Sequence, residues 1–276
     1  MTAQTMAAQA MTAQAMILAA GRGERMRPLT DTVPKPLLPV RGKPLMQWPM
    51  EALARGGFTR LVVNTAWLGE QVSTAFGSNF ESKIGHLPTS YIDSLLLNSE
   101  HMAIFYSEEG RDFGGPLETA GGIARALPQL DDVFWVLAGD VFAPDFLYSQ
   151  AAFERFSKSG KLAHLWLVPN PDHNPKGDFG LSADGLALNL PADVDQSISP
   201  RFTYSTVGLY RRALFGPPYC DIPAGNPAGL KAALAPLLRK AMDQRLVSAE
   251  LFYGQWTDVG TPERLKWLNQ DENQRL

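Results

Sequence analysis

The feature of this sequence that most limits its fold is a series of short, unbroken apolar runs, each ending at glycine or a polar residue. Met16-Ile17-Leu18-Ala19-Ala20 runs into Gly21, Leu61-Val62-Val63 into Asn64, and Val133-Phe134-Trp135-Val136-Leu137 into Ala138-Gly139-Asp140. An apolar run without alternation suits a strand buried on both faces, as in a parallel sheet covered by helices. Residues 102–106 read as a further strand of this kind. Stretches of helical character lie between: 45–55, closed by Gly56-Gly57; 69–76; and 119–127, stopped by Pro128. Strands alternating with helices predict an α/β fold on a doubly wound, mostly parallel sheet. The second half is less regular. Strands over 162–168 and 202–210 and a helix over 230–244 precede a return through residues 256–260.

No long linker and no repeat interrupts the chain of 276 residues, so residues 15–276 read as one domain with a small substrate-binding lobe. Residues 1–14 are rich in Ala, Gln, Thr and Met, and the run at 1–4 recurs at 11–14. With no basic n-region they make a poor signal peptide and read as a disordered extension. Residues 77–100 read as a surface insertion. A net charge of -3 argues against a general nucleic-acid binder. The single cysteine, Cys220, forbids an intrachain disulfide, and no Cys/His cluster has zinc spacing. Cys220 lies in a Pro-rich stretch and reads as an inert structural thiol. No apolar run is long enough to span a bilayer, so no membrane association is expected and the cytoplasm is the default location.

The first chemical signal is Leu18-Ala19-Ala20-Gly21-Arg22-Gly23-Glu24-Arg25-Met26-Arg27-Pro28-Leu29-Thr30. A buried strand delivers the chain to a loop with two glycines, where backbone N–H groups can approach a polyphosphate. Arg25 adds a cation that can grip phosphate oxygens bidentately. The loop is not a Walker A motif, and Met26 stands where the third glycine of G-x-G-x-x-G would be. Alone it could be an ordinary strand-to-helix turn. Ten residues on, Pro34 and Pro36 flank Lys35 and stiffen its backbone, which suits a point charge held against phosphate. Two acids stand after apolar runs: Asp140 in Ala138-Gly139-Asp140 and Asp258 in Trp256-Thr257-Asp258-Val259-Gly260. The first would sit at the ligand edge of an α/β sheet. Alone, however, Gly139-Asp140 could be a turn and Asp258 the cap of a helix starting near Pro262. Asp145, Asp131 and Asp132 read as solvated loop acids.

Residues 21–40 resemble the signature of the sugar-1-phosphate nucleotidyltransferases: G-x-G-x-R, then P-L-T, then P-K-P-L-x-P-V. The resemblance implies a Rossmann-like nucleotide-diphospho-sugar transferase fold and magnesium as cofactor. The substrates would be a nucleoside triphosphate and a sugar-1-phosphate, and the protein a monomer or small homo-oligomer. By it, the loop at Leu18, Ala20, Gly21, Gly23 and Glu24 would bind the nucleotide together with Arg25 and Lys35. The last two would carry the catalytic charge, and Asp140 and Asp258 would hold the metal.

Three further stretches resemble the branch of that family that uses UTP and N-acetylmuramate α-1-phosphate, in peptidoglycan recycling. They are residues 106–110 with 117–122, Asn170-Pro171 with Gly177-Asp178-Phe179, and residues 234–242 leading to the Asp258 motif. The likeness implies that Glu118 lies near the base or ribose and that Gly177 and Asp178 face the sugar. Relatives acting on other sugars usually carry glycine at position 118. Ala138 stands where the family has asparagine, and Thr206 where a glycine is expected, which could narrow the sugar pocket. A glucose- or mannose-1-phosphate transferase using another nucleotide is the nearest alternative. A catalytically silent nucleotide-sugar sensor would tend to lose Arg25, Lys35 or a metal carboxylate, and all are present. A dinucleotide dehydrogenase lacks support in the glycine pattern.

Overall fold

The computed structural model describes residues 13–81 and 101–270. The extension expected before the domain lies outside these residues up to position 12, as does most of the insertion expected at 77–100.

The first strand, β1 (Ala13–Leu18), starts two residues before the expected domain boundary. Three 3₁₀ turns follow it, at Glu24–Met26, Leu29–Asp31 and Lys35–Leu37. A small hairpin, β2 (Pro39–Val40) and β3 (Lys43–Pro44), leads to α1 (Gln47–Arg55). Then come β4 (Arg60–Thr65), α2 (Gly69–Phe76), β5 (Asn79–Glu81) and β6 (His101–Glu108). Helices α3 (Glu109–Phe113) and α4 (Glu118–Ala126) precede β7 (Leu130–Ala138) and the short β8 (Val141–Phe142). The second half holds α5 (Gln150–Ser157), β9 (Ala163–Val168), β10 (Phe179–Leu181), β11 (Ala187–Leu188) and β12 (Arg201–Arg211). The chain closes with α6 (Leu234–Asp243), β13 (Val247–Leu251), β14 (Thr257–Asp258) and α7 (Pro262–Asn269).

Strands β7, β1, β4 and β6 form a parallel centre, and the order continues β11-β10-β12-β7-β1-β4-β6-β5. Antiparallel pairs flank this centre, β5 with β6 and β12 with β7, and β12 also pairs antiparallel with β9, which carries β13 in parallel. The run at 16–17 is buried on both faces, as its lack of alternation predicts. Met16 packs on the side of Ile123 in α4 and Leu238 in α6, while Ile17 packs on the side of Met50 and Leu53 in α1. A third apolar cluster, with Met26, Val40, Phe142 and Leu265, ties the loops after β1 to the C-terminal helix.

Strand β12 builds the lobe. Its second half pairs with β7 at Gly208↔Val136, two residues before β7 ends. Its first half therefore runs past the C-terminal edge of the parallel centre, where β10 pairs with it at Phe179↔Phe202. Two sequence expectations need correction. The helix expected over 230–244 starts only at Leu234, because the backbone at Ala232 is engaged elsewhere. Ala232 O accepts from the amides of Ala120 and Gly121, and Ala232 N donates to Leu117 O. Gly121 permits this approach, since a Cβ there would lie 2.5 Å from Leu230 O. Asp131 and Asp132 are not in a loop; they open β7, and Asp132 pairs with Arg211 at 3.0 Å.

Candidate active site

A cleft of about 830 Å³ opens at the C-terminal ends of β1, β4 and β7 and is walled on one side by the β10–β12 lobe. This is the edge where an open α/β sheet presents loops rather than strands to a ligand. Leu18, Ala20, Gly21, Gly23, Glu24, Arg25, Lys35, Glu118, Asp140 and Asp178 all line it.

Gly23 has φ 69°, and a Cβ there would lie 3.1 Å from Thr30 Cγ2 and 3.5 Å from Lys35 Cβ. Both the left-handed backbone and the crowding call for glycine. Thr30 Oγ1 donates to Gly23 O at 2.8 Å and fixes the turn. The amides of Gly21, Arg22 and Gly23 meet no acceptor among the described residues. Of the three arginines in this loop, Arg22 and Arg25 differ in their surroundings. Arg22 is tied to Thr30 O and Asp31 and stacks on Trp67 at 3.8 Å, so it braces the loop. Arg25 has no carboxylate within ion-pair distance among the described residues and is exposed in the cleft.

Lys35 is the first residue of its 3₁₀ turn, after the extended Pro34, and is buried. Its Nζ lies 2.5 Å from Asp140 Oδ2, on the turn after β7. Asp258 arrives from the far end of the chain. In β14 it pairs opposite Val141, and Val259 N donates to Asp140 O at 2.8 Å. The backbone ladder thus sets Asp258 on a strand beside the turn that carries Asp140. Asp258 does not itself line the cleft, although Gly260 does. Its Oδ1 is held by Arg264 at 2.5 Å and His173 at 2.9 Å. The helix-cap alternative for Asp258 falls, because Thr261 caps α7. Among the described residues no three His, Cys, Asp or Glu groups gather into a metal cage. Asp140 and Asp258, whose backbones are neighbours, are the donor type a hard cation such as magnesium takes, since it binds one or two carboxylates and completes its shell with phosphate oxygens and water.

Glu118 and Thr206 both have left-handed backbone, with φ 59° and 64°. Both line the cleft. Non-glycine residues in this region cost about 1–3 kcal/mol each and persist where the surroundings impose them. For a β-branched threonine the conformation is a clear outlier. Thr206 sits in the irregular stretch of β12 between Tyr204 and Gly208, with its hydroxyl donating to Ser205 O at 2.6 Å. Thr206→Gly is therefore expected to raise the thermal unfolding midpoint by a few degrees, a net gain of ~1 kcal/mol. A thermal melt of the two proteins checks this; a lower midpoint for the variant would contradict it.

Sequence reasoning placed Gly177 in the sugar site, but Gly177 does not line the cleft. It has φ 59°, and a Cβ would lie 2.9 Å from the backbone carbons of Arg201 and Phe202. It lets the loop lie against β12, which sets Asp178 to accept from Tyr204 N at 2.8 Å. Sequence reasoning also missed a buried network behind the glycine turn. Asn64 Oδ1 accepts from Ala19 N at 2.8 Å, and Asn64 Nδ2 donates to Glu109 Oε1 at 2.6 Å. Glu109 Oε2 accepts from Leu117 N at 2.8 Å, so the network joins the β1 turn to the start of α4. Burial pushes the Glu109 carboxyl above the usual carboxylate range, against the pull of the Asn64 and Leu117 donors. Asn64 ending an apolar strand was the available signal.

The fold and site define a class. The family model described as nucleotidyl transferase matches residues 14–189, and the chain belongs to that family. Within the family, it is 45% identical to N-acetylmuramate alpha-1-phosphate uridylyltransferase of Neisseria meningitidis serogroup B, over 91% of this chain and 94% of that one. It is 30% identical to UTP--glucose-1-phosphate uridylyltransferase of Synechocystis sp., over 89% of this chain and 59% of that one. The fold is also that of the inositol-1-phosphate CTP transferase from T. maritima, with a TM-score of 0.63, 21% identity and coverage of 96% and 94%. The chain is thus an enzyme of the sugar-1-phosphate nucleotidyltransferase type. Among the described residues no helix is long and apolar enough to cross a membrane.

Proposed function

We propose that the protein transfers UMP from UTP to N-acetylmuramate α-1-phosphate, releasing pyrophosphate and forming the UDP-sugar. The observation that carries the chemistry is the meeting of the glycine turn, Arg25, Lys35 and Asp140 on one cleft. The acceptor reading rests on the 45% identity to the Neisseria uridylyltransferase and on the side chain at Glu118.

The acceptor phosphate is already ionised at neutral pH, so its oxygen needs no general base. That oxygen forms a bond to the α-phosphorus of UTP, and the bond from that phosphorus to the β-phosphate oxygen breaks. Catalysis is then a matter of positioning and charge stabilisation. The amides of residues 21–23 bind phosphate oxygens, Arg25 grips the triphosphate, and Lys35 places its charge on the phosphates from beside Asp140. Asp140 and Asp258 would hold magnesium, which neutralises phosphate charge and orients the phosphates when bound. Glu118 faces the base or ribose, and Asp178 the sugar.

Pyrophosphate release from a matrix of nucleoside triphosphates and sugar-1-phosphates, with and without magnesium, tests this reading. UTP with N-acetylmuramate α-1-phosphate is expected to be the best pair, and chelation is expected to abolish turnover. A preference for glucose- or mannose-1-phosphate would sink the acceptor reading.

A further inference from the structure

We propose that Arg239 determines acceptor specificity by receiving a carboxylate carried on the sugar. The proposal rests on the acceptor reading above. N-acetylmuramate differs from N-acetylglucosamine by a lactyl ether that ends in a carboxylate, so a site that selects it needs a cation beyond those that hold phosphate.

Arg25 and Arg239 are the arginines that line the cleft, and neither has a carboxylate within ion-pair distance among the described residues. Elsewhere, arginines such as Arg22, Arg211 and Arg245 are matched to acids. The buried Arg201, also without an acid, is instead satisfied by the carbonyls of Pro191, Gly177 and Asp178, whereas Arg239 reaches a single side-chain oxygen among the described residues. Arg239 is nonetheless held in place. Its guanidinium lies over the Phe179 ring at 5.2 Å, and its Nη1 donates to Asn189 Oδ1 at 2.7 Å. Asn189 is itself fixed by donating from Nδ2 to Asp243 Oδ1 at 3.0 Å. The guanidinium has five N–H donors, so most of its fork remains for a ligand.

The position of Arg239 separates it from the triphosphate. Phe179 lies in β10, and β10, β12, β7 and β1 are successive neighbours. At about 4.8 Å per strand, Arg239 stands on the order of 14 Å across the sheet from the glycine turn. Arg25 and Lys35 serve phosphate at one end, which leaves Arg239 for a second anion at the other. Asp178 does not neutralise it, since that carboxylate accepts from Tyr204 N and Asn174 Nδ2 instead. A planar fork that is anchored on one side and stacked on an aromatic ring suits bidentate capture of a carboxylate.

The test measures kcat and KM of the full chain with UTP and magnesium for N-acetylmuramate α-1-phosphate and N-acetylglucosamine-1-phosphate. Wild type, Arg239→Gln and Arg239→Lys are compared. The ratio of kcat/KM for the acidic over the neutral acceptor is expected to fall about 30-fold in Arg239→Gln, mostly through KM for the acidic acceptor. Arg239→Lys, which keeps the charge without the fork, is expected to retain part of the ratio. A ratio kept in Arg239→Gln, with both acceptors losing rate equally, would overturn the assignment and leave the acceptor reading standing. A wild-type enzyme that shows no preference for the acidic acceptor would overturn both.

Discussion

Lys35→Ala is expected to lower kcat/KM for UTP about a hundredfold or more, with a cooperative melt retained. Losing one preorganised charged donor to a developing transition state typically costs ~3 kcal/mol. Lys35 is well placed to be such a donor. Its turn is pinned by the amide of Leu38, which donates to Lys35 O, and its ammonium is held at 2.5 Å from Asp140. The fold should tolerate the change. The Asp140 side chain is 37% exposed, so water can solvate it once its partner is gone. Steady-state pyrophosphate release and a thermal melt separate the two effects. Near-wild-type turnover in Lys35→Ala would remove the lysine from the chemistry.

Asp140→Asn is expected to have an effect at least as large, about a hundredfold to a thousandfold in kcat. It should also shift the magnesium concentration for half-maximal rate upward. The substitution keeps the size of the side chain but removes the charge that a hard cation seeks. Asp258→Asn should behave alike, because β14 sets Asp258 against Val141, next to Asp140. A magnesium titration of the variants reads this directly. Wild-type rate and wild-type magnesium dependence in Asp140→Asn would refute the metal assignment.

Residues 16–20, 61–64 and 133–137 made the parallel centre legible in the sequence, because strands covered by helices on both faces need continuous apolar runs. The glycine turn was legible for a similar reason: Gly23 and the prolines around Lys35 act on the local backbone. What escaped depends on distant contacts. Residues 230–233 look helical, but Ala232 bonds to the start of α4 instead. Helix α5 and strand β13 were not anticipated, since neither carries a motif and both are fixed by packing against β7 and β9. Gly177 looked like a sugar contact, and only the closeness of Arg201 and Phe202 shows its backbone role. The left-handed backbone of Glu118 and Thr206, which makes both costly, was visible only in three dimensions. Arg239 was given no role in the sequence, because its partner Phe179 comes from β10, far away along the chain.

The most direct measurement is a crystal structure of the protein with a non-hydrolysable UTP analogue and manganese, whose anomalous signal marks the metal. The triphosphate is expected against residues 21–25 and Lys35, with the metal peak between Asp140 and Asp258. A nucleotide bound away from that turn, or a metal peak remote from both acids, would contradict the account.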